Sequence, residues 1–388
     1  MVDPSNQFCH NPACPSRGKL GEGNIGVHSQ KDRRLKCNIC GRTFVATKDT
    51  PLYRLHKAAD LMVVVVILLC HGCPVQAIVA AFGLDERTVA NWQARGGQHC
   101  QRLHEHIVQQ GQVDLQHVQA DELWVKMVGK RVWMAMVMAV PSRLWLGGVV
   151  SVHRDRELIT NLVKMVRSCA SSLGILVCVD GLSSYVTAFL RVFRNPAHTG
   201  RRGRPRLVLT QGLMLGQVVK QYAQRRVVSV KYKVVRGTQD TIAAVLATTG
   251  GGHGINTAYI ERLNATFRAA LVVLVRRGRA IARKETMLTA GMYLVGCAYN
   301  FLWFHESLRL PSPEGVTHKW QERTPAMAAG LTDHPWTMTE LLSYQIPLPA
   351  WVAPKRRGRP PKRPPQPMLM APKRRGRSPR QPMTAVAV

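Results

Sequence analysis

The stretch from residue 118 to Gly181 constrains this chain most. Three runs rich in β-formers, 118–125, 132–140 and 145–152, are parted by Gly129-Lys130 and Pro141-Ser142. Such runs between turn residues predict an antiparallel meander. From Arg154 to Cys169 the period becomes helical, with Leu158, Leu162, Val163 and Val166 on the inner side. Residues 175–179 are then apolar at every position and stop at Asp180-Gly181. A short run of that kind suits a strand covered on both faces. The order predicts an α/β fold: a mixed sheet flanked by helices.

Three antiparallel strands, a helix and a buried strand are the order of a ribonuclease-H-like sheet. That arrangement sets Asp121, on the first strand, beside the C-terminal end of the strand that carries Asp180. A third acid lies in Tyr259-Ile260-Glu261-Arg262-Leu263-Asn264, introduced by Gly250-Gly251-Gly252. Glu261, Asn264 and Arg268 fall at i, i+3 and i+7, on one face of a helix, while Ile260 and Leu263 form another stripe. One such Glu by itself is usually a solvated surface residue; two aspartates at strand ends give it a context. Converging carboxylates repel unless cations sit between them. Their hard oxygens select Mg²⁺ or Mn²⁺. Two such ions ~3.5–4 Å apart can serve an in-line phosphoryl displacement. Glu122 points to the opposite strand face from Asp121 and is the weaker candidate. Asp155, Glu157 and Glu285 read as surface or capping acids.

Residues 1–52 hold Cys9, Cys14, Cys37 and Cys40 in two close pairs, the second followed by Gly41 and a strand-like Thr-Phe-Val. Four thiolates so spaced suit a structural Zn²⁺ stapling a β-ribbon, with His10 as an alternative first-pair ligand. Residues 53–110 read as helical. An apolar stretch at 58–70 suits a buried helix, and 75–82, a break at Gly83, and 85–95 make a helix-turn-helix pattern. In it Arg87, Thr88, Asn91, Trp92 and Gln93 are expected outward or half-outward, as types able to reach bases or phosphates. An ordinary helical hairpin is the plain alternative. Cys70 and Cys73 have redox spacing, but no strand precedes them, so they read as core or turn cysteines.

Residues 111–310 form the expected core, with a basic insertion near 195–226. A C-terminal extension at 311–351, irregular apart from one short helix, leads to a basic tail at 352–388, too poor in apolar residues to order alone. Pro-Lys-Arg-Arg-Gly-Arg occurs there twice, carrying Arg357 and Arg359, then Arg375 and Arg377; Arg-Arg-Gly-Arg-Pro recurs at 201–205, around Arg204. An extended Arg-Gly-Arg fits a narrow A·T-rich minor groove, so these segments resemble AT-hooks. The chain as a whole carries 54 Lys+Arg against 22 Asp+Glu, a net charge of +32 over 388 residues. That field favours a polyanion, above all nucleic acid. The longest apolar run, 61–70, is about half the ~20 residues that a membrane-spanning helix needs, so no membrane is expected. The N-terminus has no secretory pattern, which predicts an intracellular, thiol-reducing setting.

In its cysteine pairs, Asp121-Glu122-Leu123-Trp124, Asp180-Gly181, Glu261-Arg262-Leu263-Asn264, and Tyr299-Asn300 with His305, the chain resembles a bacterial insertion-sequence transposase of the DDE class. The resemblance covers roughly residues 8–310. It implies that Asp121, Asp180 and Glu261 bind catalytic Mg²⁺ or Mn²⁺ and that Arg268 lies near the DNA end. It further implies double-stranded DNA as substrate, both as element ends and as target, assembly as a homodimer or higher, and a cytoplasmic, nucleoid-associated location. Two features depart from the pattern: the long basic stretch between Asp180 and Glu261, and the tail with two hooks. A non-catalytic DNA-binding regulator or architectural protein, or a structure-specific nuclease, would use the same modules.

Overall fold

A computed structural model describes residues 3–197, 203–224, 226–275, 278, 280–313 and 317–353. The expected tail contacts Arg357, Arg359, Arg375 and Arg377 lie outside the described residues.

The N-terminal ribbon is three antiparallel strands, β1 (Ile25–Ser29), β2 (Arg34–Cys37) and β3 (Thr43–Val45). Its interior is small: Ile25, Leu35 and Phe44 beside Cys9, Cys14 and Cys37. A core of that size needs a staple to hold.

Three helices follow: α1 (Ala59–Cys70), α2 (Val75–Phe82) and α3 (Glu86–Ile107). Gly83 ends α2 at φ +60°, a left-handed turn that suits glycine. Asp85 then caps α3 by accepting from the Arg87 N–H at 2.8 Å. Helix α3 is longer than the pattern suggested and packs along α8 (Glu285–Phe301). A Cβ on Gly97 would lie 2.4 Å from the Ala290 carbonyl oxygen, so the two backbones touch there. Trp92, expected outward or half-outward, is buried instead: α3 turns that side to the core. Met62, Leu103 and Leu294 share one continuous core with the sheet.

The sheet contains β4 (His117–Met127), β5 (Lys130–Ala139), β6 (Trp145–Ser151), β7 (Leu176–Asp180), β10 (Met214–Ala223) and β11 (Arg226–Arg236). Its order is β11-β10-β7-β4-β5-β6. Strand β7 runs parallel to both β4 and β10; the other pairs are antiparallel. Helix α4 (Arg156–Cys169) links β6 to β7, with Asp155 as its cap through the Leu158 N–H. After β7 come α5 (Ser183–Val192) and a hairpin of β8 (Arg194–Ala197) and β9 (Arg206–Leu209). After β11 come α6 (Gln239–Thr248) and α7 (Ala258–Ala270).

Two further expectations are corrected. The stretch 195–226 is not wholly an insertion, because 214–223 is β10, hydrogen-bonded to β7 inside the sheet. Its residues Leu215 to Val218 are buried, whereas its largely exposed second half has no buried-strand pattern. The extension beyond residue 311 holds two short helices, α9 (Pro325–Ala328) and α10 (Met338–Ser343), and Leu341 and Leu342 of the second enter the core. No helix among the described residues is long and apolar enough to cross a membrane.

Candidate functional site

Ala120 of β4 pairs with Val179 of β7 in parallel register, so the next positions along the two strands are Asp121 and Asp180. Asp180 also pairs with Val218 of β10. Residues paired across a sheet point to the same face, so both aspartates face one cavity of about 700 Å³, lined also by Lys220, Glu261, Asn264 and Arg268. The three helical residues come from α7, which the i, i+3, i+7 spacing anticipated.

Glu122 departs from expectation. Its side chain does leave β4 on the opposite face, where the Tyr185 hydroxyl of α5 donates to it at 2.8 Å. Yet it sits at the strand end, and carboxylate oxygens of Asp121, Glu122 and Asp180 lie within 4.8 Å of one another. Arg154, between β6 and α4, donates from Nε to Glu122 at 2.5 Å and reaches Asp180 Oδ2 at 3.4 Å. Its guanidinium also lies over the Trp133 ring. Arg154 thus ties two of the three acids to one cation.

Glu261 lines the same cavity but stands outside this close group. Lys220 of β10 donates to it at 2.8 Å and the Thr257 hydroxyl at 3.0 Å. Asn264 is buried and donates from Nδ2 to Asp121 Oδ2 at 2.8 Å, while its Oδ1 has no hydrogen-bond partner among the described residues. Gln119, missed in the sequence, sets the position of α7. It is fully buried on β4, two residues before Asp121 and on the same face. Its Oε1 accepts from the backbone N–H groups of Tyr259 and Ile260 at 3.0 and 3.1 Å, and its Nε2 donates to the Asn256 carbonyl at 2.9 Å. The helix start is thereby capped by a side chain from the strand. A lone Gln inside a strand pattern carries no such signal.

Burial pushes the Asp121 carboxyl up to about 7, and the charges of Glu122 and Asp180 add to this. Burial and Asp180 also raise Glu122, against the hydrogen bond from Tyr185 and the charge of Arg154. Crowded, half-desolvated carboxylates of this kind gain by accepting a divalent cation, which supplies the missing positive charge.

In the ribbon, thiol sulfurs of Cys9, Cys14, Cys37 and Cys40 all lie within 4.8 Å of one another. Cys9 and Cys40 are 3.6 Å apart, Cys14 and Cys37 3.9 Å. A tetrahedral Zn²⁺ with Zn–S bonds of ~2.3 Å would set its sulfurs ~3.8 Å apart. These separations far exceed a disulfide bond, and the cluster is compatible with a zinc site. His10 is not part of this four-sulfur group; its Nδ1 faces Asp49 Oδ2 at 2.7 Å. Cys70 is buried and Cys73 half-buried, both as free thiols.

Of the expected DNA contacts, Arg87 and Asn91 are exposed on α3, and Thr88 is half-buried. Gln93 is half-buried as well, its Nε2 3.3 Å from where a Cβ on Gly291 of α8 would stand. Arg204 is exposed in the β8–β9 connection, and Arg268 is half-buried at the acidic cavity. No known protein-family profile matches the chain, and no curated protein sequence is significantly similar to it.

Proposed function

We propose that this chain is a DDE transposase of an insertion sequence, built on a ribonuclease-H-like sheet, that cuts and joins double-stranded DNA. One observation carries the reading: Asp121 and Asp180 stand side by side on parallel strands, facing a cavity that α7 lines with Glu261, Asn264 and Arg268. The sheet order, with three antiparallel strands at one edge and β7 and β10 added in parallel beyond the first of them, supports the ribonuclease-H-like assignment.

The donor set fits Mg²⁺ or Mn²⁺: carboxylate oxygens only, gathered within 4.8 Å, with Asp121 pushed up to about 7 first by burial and then by the neighbouring charges. Asp121 and Asp180 would hold the ions, with Glu261 across the cavity and Glu122 beside them. Bound there, such ions supply Lewis acidity to the attacking and departing oxygens of a phosphodiester. The chain's own residues do the rest. Asn264 fixes the rotamer of Asp121, Arg154 that of Asp180, and Lys220 holds Glu261 in place. Water first cleaves the phosphodiester at the element end and frees a 3′-OH, which then attacks a phosphodiester of the target. The number of phosphodiester bonds is conserved in the second step, so no nucleotide cofactor is needed. The cysteine cluster, as a Zn²⁺ site, steadies the ribbon, and Arg87 and Asn91 contact the DNA. Joining of paired ends calls for a homodimer or larger assembly.

The test is strand transfer with oligonucleotides taken from inverted repeats flanking the coding region, in Mg²⁺. Wild-type chain should join them, and Asp180→Ala should reduce joining at least 100-fold; joining by this variant at the wild-type rate rejects the mechanism. The Lys220–Glu261 ion pair favours a second reading, a DNA-binding protein without catalysis. DNA binding with neither nicking nor joining in Mg²⁺ or Mn²⁺ would decide for it.

A further inference from the structure

A second cavity, of about 600 Å³, opens where the ribbon meets the segment that leads into α1. Arg33, Arg34, Lys48, Arg54 and Lys57 line it. Its one acid, Asp32, accepts from the Ser29 hydroxyl at 2.9 Å. Among the described residues none of the five cations makes an ion pair. Arg34 is aimed by its bond to Thr43 Oγ1 at 2.7 Å, and Arg54 lies over the Tyr53 ring. Arg33, Arg54 and Lys57 are exposed, while Arg34 and Lys48 are half-buried.

Five like charges in a concave site focus a positive potential that a surface of mixed charges does not. A polyanion relieves their repulsion and releases its own counterions. An amphipathic contact with a flat anionic membrane adds exposed apolar side chains that insert beside the cations. Here Phe44 is buried and Leu52 and Leu55 are half-buried. A cleft with cationic walls instead suits the ridge of a phosphate backbone. We infer that the seam between ribbon and α1 grips the phosphate backbone of duplex DNA. This rests on the reading of DNA as the substrate but not on catalysis, and it assigns the ribbon's contact to residues outside α3.

The experiment uses the full chain, a fluorescein-labelled random-sequence duplex and anisotropy between 50 and 200 mM KCl, without divalent cations. The absence of Mg²⁺ separates the result from failure of the catalytic reading. Each lost phosphate contact lowers the slope of log affinity against log salt by about 0.9. The triple variant Arg33→Ala, Lys48→Ala, Arg54→Ala should therefore lose about 2–3 from that slope, and roughly tenfold or more in affinity at 100 mM salt. A control replacing Lys19, Lys130 and Arg309 by Ala removes the same charge from paired surface sites and should shift the slope by less than about 1. An unchanged slope in the first variant, or an equal fall in the control, overturns the inference. So does a variant that loses binding to phosphatidylserine vesicles but keeps it to DNA. Should the triple variant not fold, acetylation of the wild-type chain decides. DNA should protect Lys48 and Lys57 at least threefold, and equal modification with and without DNA counts against the site.

Discussion

Asn264 of α7 donates its side-chain amide to Asp121 Oδ2 of β4 across 2.8 Å, joining residues 143 positions apart. The bond orients the more buried of the two paired aspartates, and it comes from the helix that also carries Glu261. Two elements of the cavity are thus held in one geometry.

Removing that donor should weaken metal binding before it weakens the fold. Residues that orient metal ligands typically contribute 10–100-fold to affinity or activity. Asn264→Ala is expected to lower Mn²⁺ affinity about tenfold, read by electron paramagnetic resonance, and strand transfer by at least as much. An unchanged Mn²⁺ isotherm would exclude the orienting role.

Gln119→Leu should act on stability. The substitution removes the acceptor for two N–H groups at the start of α7 and the donor to Asn256. Buried groups left without partners cost about 1–3 kcal/mol each. Urea unfolding should show a loss of roughly 2–5 kcal/mol. A change within about 0.5 kcal/mol would mean that water or a neighbour replaces the amide.

The cysteine cluster should bind one Zn²⁺ per chain, measured by elemental analysis of purified protein. Cys37→Ser should abolish stoichiometric zinc. It should also expose the ribbon to proteolysis while the main sheet stays resistant, because the ribbon's small core is separate from the large one. Zinc retained at full occupancy would point to other ligands.

Three buried histidines set the acid limit. Burial holds His99 and His104 down at about 4 and His117 at about 3. Their native pKa values lie below the unfolded value near 6.5, so their stabilisation is complete above that pH and is lost as pH falls through it towards 4. Asp121, raised to about 7, works the opposite way, because the native state binds its proton first. Glu122, also raised, acts as Asp121 does, while His10, His106 and His305, lowered by burial, act with the three histidines. The histidines outnumber the two acids, so the unfolded state binds more protons and stability falls as pH falls in this range. Urea midpoints should therefore fall steadily from pH 6.5 to 5; a flat profile would show that these histidines are already protonated in the fold.

The candidate acids of the cavity were legible because their neighbours impose a local pattern. A wholly apolar strand ending in Asp180-Gly181 reads as buried whatever its partners, and an i, i+3, i+7 triplet shares a helix face by geometry alone. Residues 214–223 failed that test. Their buried first half and polar second half resemble a loop until β7 and β11 supply hydrogen-bond partners on both sides. The polar neighbours of Trp92 on α3 suggest a surface, whereas its ring is buried in the core that α3 shares with the sheet.

Sequence alone determined the segment order, the two cysteine pairs, the excess of basic charge and the residues able to serve as acidic ligands, since each depends on spacing within one stretch of chain. Tertiary structure decided which of those acids meet. Strand register put Asp121 next to Asp180, a strand end let Glu122 reach them from the other face, and Glu261, paired with Lys220, lies outside that close group. Such distances follow from how separate elements pair and pack, and no local period encodes them.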